Sequence, residues 1–166
     1  STISATSGGI TLTGVGGASA SNNNHGVRFT GTAEALAGSD GLTVDGSAGG
    51  TGSSRNNDGI SATGGATMRS GTGPLTLVGQ GGAGTASEGI AIESNPSTIG
   101  AAAGQSGQTG PITLRADVLY FQDTQTVNTT GALAIEPRST SFAESLTGTI
   151  SELSFPDVTS LTLGKP

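Results

Sequence analysis

Four segments of the chain are versions of one short pattern. GGITLTGVGG at residues 8–17 recurs as DGLTVDGSAGG at 40–50, as GPLTLVGQGGAG at 73–84 and, shortened, as GPITLRAD at 110–117. The equivalent residues Ile10, Leu42, Leu75 and Ile112 lie 32, 33 and 37 residues apart, the period of solenoids and repeat arrays. A second match follows the glycine-rich run of each unit: HGVRFTG from His25, DGISATG from Asp58 and EGIAIES from Glu88. A third apolar patch comes next, as AEAL (33–36), ATM (66–68) and STIG (97–100). Each unit therefore reads as two or three very short strands with alternating faces, joined by Gly/Ser/Asn turns.

Strands of three or four residues are not stable alone, and a hairpin of two barely improves matters. Stacking solves this. If successive units coil so that equivalent strands pair in parallel, each buries its aliphatic side chains against the next. The expected fold is all-β, a parallel β-helix spanning residues 1–166 as one domain, with the glycine-rich runs protruding as loops. Its inward residues are Ile10, Leu12, Val27, Phe29, Leu42, Val44, Ile60, Leu75, Leu77, Ile90, Ile92, Ile112 and Leu114. Glycines serve corners that need φ > 0 or close backbone approach.

Composition fits this reading better than a layered globule. Only 32% of the chain is hydrophobic and 11% charged, and the net charge of −6 is low for a disordered chain. Of 30 glycines, 27 fall before residue 111. The chain thus divides into glycine-rich repeats (1–114) and a continuation of the same solenoid (115–166). The second part holds Tyr120, Phe121, Phe142 and Phe155, and longer strands with a better-filled core are expected there.

Several function classes are disfavoured. The six Lys/Arg are scattered singly, so no basic stripe faces nucleic acid. No window is apolar enough to span a membrane. The N-terminal STISATSGG lacks signal-peptide features, so either targeting was removed or the chain is an internal segment. The absence of cysteine removes disulfide, thiolate-metal and thiol chemistry. VGGASASN and QGGAGTAS lack the aspartate of calcium-binding β-roll repeats, and GVGG and GQGG lack the Lys-Ser/Thr and helix of a phosphate loop. No cofactor is expected.

The one histidine, His25, precedes Gly26 at the position that Asp58 and Glu88 occupy in the next units. One unit per coil would stack His25, Asp58 and Glu88 along an edge, read here as a surface for contact with another body. Residues before a Gly-Val or Gly-Ile strand start are also turn positions, whose polar side chains bond nearby backbone. Stacked Asp58 and Glu88 would repel unless a proton or cation lay between them. Asn22 to Asn24 and Asn56 to Asn57 also match, and stacked asparagines form amide ladders. Asn128 lies in NTT, a formal glycosylation sequon read as chance.

GPLTLVGQGGAGTASEGIAIES, GPITLRADVLYF, TGALAIEPRSTS and SELSFPDVTSLTLGKP together resemble the repeats of giant filamentous-haemagglutinin-like bacterial exoproteins. The resemblance implies a right-handed parallel β-helix, exported to the bacterial surface or beyond, that acts in adhesion, aggregation, biofilm or filament assembly without catalysis. It also implies a host or neighbouring-cell glycan or protein as partner. The family's secretion motif of the Asn-Pro-Asn-Gly type is not matched, NPS at 95–97 being nearest. Because SLTLGKP followed by STISATSGGITL would continue the alternation, head-to-tail self-association or a tandem array is expected. The alternative is a carbohydrate-active β-helix, a polysaccharide lyase, hydrolase or binder, with paired carboxyl groups spaced by stacking.

Overall fold

The structure, a computed structural model, describes residues 1–94, 96–102, 104–105, 107–144, 146 and 151–165; Asn95 of the NPS stretch lies outside them. The first coil runs from β1 (Thr2–Ser4) through β2 (Ile10–Val15) and β3 (Val27–Thr30) to β4 (Glu34–Leu36). The cycle repeats as β5 (Leu42–Ser47), β6 (Ile60–Thr63) and β7 (Thr67–Arg69), then as β8 (Leu75–Gln80), β9 (Ile90–Glu93) and β10 (Thr98–Gly100). A compact coil follows, with β11 (Ile112–Arg115), β12 (Leu119–Phe121) and β13 (Gln125–Asn128). The chain ends on β14 (Ala132–Glu136), β15 (Leu153–Ser154) and β16 (Ser160–Leu163).

Up to β14 every third strand returns to the same sheet, and β15 and β16 then follow β13 and β14 directly in sheets A and B. Sheet A has the order β1-β4-β7-β10-β13-β15, sheet B β2-β5-β8-β11-β14-β16 and sheet C β3-β6-β9-β12. Every pairing within them is parallel. The molecule is a parallel β-solenoid of about five turns, with neighbouring strands about 4.8 Å apart. The two parts of the chain divided near residue 115 contribute strands to the same three sheets.

Register converts the repeat into columns. In sheet B, Ile10 pairs with Leu42, then Leu75, Ile112, Leu133 and Leu161, while Leu12 leads through Val44, Leu77, Leu114 and Ile135 to Leu163. In sheet C the columns are Val27, Ile60, Ile90, Leu119 and Phe29, Ala62, Ile92, Phe121. Sheet A adds Ile3, Ala35, Met68, Ile99 and Val127. Leu42, Leu75, Leu77, Ile60, Ile90, Ile92, Ile112 and Leu114 are fully buried, as is Val44. Because side chains alternate across a strand, Thr11, Thr43, Thr76 and Thr113 form a matching column on the opposite face of sheet B.

Two expectations need correction. Ile10, Leu12 and Val27 are only partly buried, whereas Phe29, 6% exposed, is buried as expected. They belong to the same inward columns, but β2 and β3 are end strands with a neighbour on one side only. Nor are the strands longer after residue 115. The longest, β2, β5 and β8, have six residues each, whereas β11 to β16 have two to five.

The reason lies at the corner between sheets B and C. Gly14, Gly46 and Gly79 let the early strands continue until their backbone meets that of Gly26, Gly59 and Gly89. A Cβ on any of the three would lie 1.9–2.0 Å from the facing carbonyl oxygen. In the compact coil, Ala116 and Asp117 replace the glycine-bearing extension and β11 stops at Arg115. The coil from Ile112 to Leu133 accordingly takes only 21 residues.

Position along a column should therefore decide the cost of truncation. Leu77→Ala is expected to destabilise by about 2–5 kcal/mol through loss of buried surface and a residual cavity. Leu163→Ala, in the same column but 52% exposed, should cost about 0.5 kcal/mol or less. Chemical denaturation of the two variants measures the contrast.

Candidate functional site

Between sheets B and C the chain makes three long excursions, residues 16–26, 48–59 and 81–89, which stack on one another as the strands do. Thr51 and Gly50 N–H groups donate to Ser19 O and Gly17 O, each at 3.0 Å, and Gly49 N–H donates to Asn24 O at 2.9 Å. Asn23 N–H reaches Arg55 O at 3.0 Å, while Gly82 N–H reaches Asn57 O at 2.8 Å and Thr85 N–H reaches Ser54 O at 3.2 Å. The loops thus form a side lobe with its own ladder. With so much glycine, the lobe fills its interior with polar side chains, and Ser54 and Asn57 are completely buried.

Asn57 is the hub of that interior. Its Oδ1 accepts from Asn24 N–H at 3.0 Å and Asn24 Nδ2 at 3.1 Å; its Nδ2 donates to Ala83 O at 2.7 Å and Ser54 Oγ at 2.9 Å. One amide therefore ties all three loops together. The asparagine ladder is present between Asn24 and Asn57, and Asn22 extends it by accepting Arg55 N–H at 2.9 Å.

His25, Asp58 and Glu88 lie at the root of this lobe and do stack, each just before the glycine that opens a sheet C strand. His25 Nδ1 lies 3.3 Å from Asp58 N and 3.2 Å from Asp58 Oδ2, and Asp58 Oδ1 accepts Glu88 N–H at 3.2 Å. The same Nδ1 cannot serve both neighbours in one protonation state. Unprotonated, it accepts the backbone N–H; protonated, it donates to the carboxylate. The His25 and Asp58 side chains are 7% and 3% exposed, so these two face into the junction and do not form a surface. Each bonds the backbone of the next coil, as turn-position residues do.

Electrostatics concentrate here. The half-buried Glu88 is raised from 4.5 to about 7, first by burial, then by its hydrogen bond with Asp58 and by that residue's charge. Glu93, at the end of β9, is also raised, by burial and then by Asp58, against the opposing influence of His25 and Arg28. Burial and the neighbouring Asp58 thus disfavour ionisation of both Glu88 and Glu93 at the junction. Among the described residues no three His, Asp or Glu side chains converge to hold a metal ion.

Three further features were not singled out from the sequence. Gln108 and Gln125 are fully buried amides, the first in the segment before β11 and the second at the start of β13 in sheet A. Gln108 accepts Ser70 N–H at 2.8 Å and donates to Gly73 O and Gly110 O at 3.1 and 3.0 Å, while Gln125 accepts Ser97 N–H at 2.7 Å. Both bridge adjacent coils, and no local pattern marks them. The third feature is a cavity of about 530 Å³ at the β1–β3 end, walled by Ile3, Leu12, Val27 and Phe29 with Arg28 and Glu34 at its margin. It is the interior of the first coil seen from outside. Asn128 of the sequon is 1% exposed and its amide is paired with Asp157, with Nδ2 donating to Oδ2 at 2.8 Å.

Compared with family models, curated proteins and solved structures, the chain shows no match.

Two measurements probe the lobe. Asn57→Ala leaves buried donors and acceptors unpaired and should cost about 1–3 kcal/mol in denaturant unfolding. Glu88, raised in the folded state, makes folding take up a proton, so its contribution is fully present below 4.5 and is lost as pH rises through about 7. Stability should fall from about pH 5 to about pH 8, and Glu88→Gln should flatten that slope. An unchanged slope in the variant would assign the dependence to other groups.

Proposed function

We propose that this chain is a structural and adhesive segment of an extracellular bacterial surface fibre of the filamentous-haemagglutinin-like kind, working through length and surface without catalysis. The observation that carries the reading is the continuity of the inward columns. They run from Ile10 and Leu12 through Leu42 and Val44, Leu75 and Leu77, Ile112 and Leu114, and Leu133 and Ile135 to Leu161 and Leu163. Such a body lengthens by adding coils and needs no new fold to do so. The order of ITL units, GALAIEP and SLTLG supports the family assignment, and the side lobe supplies a repetitive ridge for contact with glycan or protein on a neighbouring cell.

The carbohydrate-active reading has one observation in its favour, the adjacency of Asp58 and Glu88 with Glu88 raised to about 7, a value suited to a general acid. Two assays separate them. Displayed on a non-adherent bacterium, the chain should cause cell clumping or binding to host cells or a glycan array. Purified, it should release no reducing or unsaturated ends from polysaccharides. Release abolished by Glu88→Gln, with no adhesion, would reverse the assignment.

A further inference from the structure

Three Asp-Gly pairs occur in the chain, Asp40-Gly41, Asp45-Gly46 and Asp58-Gly59. In such a pair the glycine nitrogen, with no side chain beside it, is free to attack the aspartate carboxyl group. The fold closes two of the three. Gly46 lies inside the β5 ladder between its partners Gly14 and Gly79, pressed so close to Gly59 that a Cβ would lie 2.0 Å from Gly59 O. Asp58 is 2% exposed, its carboxylate is engaged by Glu88 N–H and His25, and Gly59 N–H donates to Glu88 O at 2.9 Å.

Asp40 differs on each count. It is exposed, at the turn that leads from sheet A into β5. Its Oδ1 has Ser39 Oγ at 3.4 Å, but that hydroxyl has a single proton and Ser7 O lies nearer, at 3.0 Å. Gly41 N–H makes only a long turn bond, to Gly38 O at 3.4 Å. Gly41 itself has a φ of 97° and packs against Pro74, so its nitrogen stays in place while the exposed carboxyl turns to it. Coils flank the pair on both sides, at Gly9 and at Pro74, and the exposure is therefore a property of the corner. In the next two coils the register sets Pro74 and Pro111 at the place of Gly41, where there is no N–H to react.

We propose that Asp40-Gly41 is a modification site at which the folded chain isomerises its own backbone to isoaspartate. Gly41 N bonds to Asp40 Cγ, and the hydroxyl of the protonated carboxyl group leaves with the amide proton as water, closing a succinimide ring. Water then opens the ring. Cleavage of the new Cγ–N bond restores aspartate. Cleavage between the Asp40 main-chain carbonyl carbon and Gly41 N leaves that carbon as a free carboxylate and routes the chain through Cγ. Water, lost in the first step and regained in the second, is the only co-reactant. The product has an extra methylene in the backbone between Gly38, whose N–H bonds Gly8 O at 3.0 Å, and Gly41, whose O accepts Ile10 N–H at 2.9 Å. Isomerisation thus loosens the seam between the first two coils.

The test ages the purified chain at neutral pH and body temperature, then digests it and locates isoaspartate by electron-transfer fragmentation. In the folded chain it should accumulate at Asp40 at least about tenfold faster than at Asp45 or Asp58, since each must first break well-formed backbone bonds. In urea the three sites should react at similar rates. Asp40→Glu, whose ring is larger and slower to close, should accumulate none there. After the same ageing that variant should keep the hydrogen-exchange protection of Ile10 that the parent chain loses. A separation below tenfold in the folded chain, Asp45 or Asp58 reacting first, or equal loss of Ile10 protection in the Asp40→Glu variant would overturn the proposal.

Discussion

Backbone contact at the corner between sheets B and C is the constraint on which the rest of the molecule depends. At Gly14, Gly46 and Gly79 one strand's backbone lies against the carbonyl that precedes the next strand, at a distance no side chain permits. That contact lets a six-residue strand pass close against the root of sheet C before the chain leaves on its excursion, and equal geometry in successive coils keeps Ile10, Leu42 and Leu75 in register. Register in turn determines which side chains are inward, since a slip of one residue would exchange the aliphatic and threonine columns. Glycine here is part of the packing, although it lowers the apparent hydrophobicity of the chain.

The same sparseness of apolar residues explains the polar interior. A thin aliphatic core occupies the solenoid, but the side lobe has almost none, and its loops are held by amides that satisfy several backbone groups at once. Asn57 does this between coils in the lobe, Gln108 does it ahead of β11 and Gln125 at the start of β13. Among the described residues, no buried side-chain nitrogen or oxygen lacks a partner. A fully satisfied network of this kind specifies one register, because shifting a coil would strand several buried groups together.

What could be read in the sequence follows from this division. Where inward columns rest on repeated Ile, Leu and Val at fixed offsets, as at Leu42, Leu75 and Ile112, strand identity and facing are legible from spacing. The exposure of Ile10 and Leu12 was not, because it depends on the absence of a covering strand, a property of place and not of residue type. The stack of His25, Asp58 and Glu88 was visible as a recurrence before Gly26, Gly59 and Gly89; its burial was not, because the loops that enclose it are variable in sequence and join through backbone. Gln108 and Gln125 left no trace, being single residues that each accept a backbone N–H from the preceding coil.

The lobe and the solenoid differ in how far they extend, and the difference locates the charged cluster. The lobe has three layers, ending where Ala116, Asp117 and Val118 turn the corner without an excursion and Gly89 N–H bonds Val118 O at 2.9 Å. Glu88 therefore sits in the last layer. One side of it is packed on Asp58, and the side chain is only partly buried. A carboxyl group in the middle of the lobe would be enclosed from both sides; here one side retains access to water. This placement lets burial and Asp58 raise Glu88 to about 7 while still allowing it to exchange a proton with solvent. The stack is thereby tied to pH at its open layer, while His25 and Asp58 beneath it remain committed to the backbone of the coils they join.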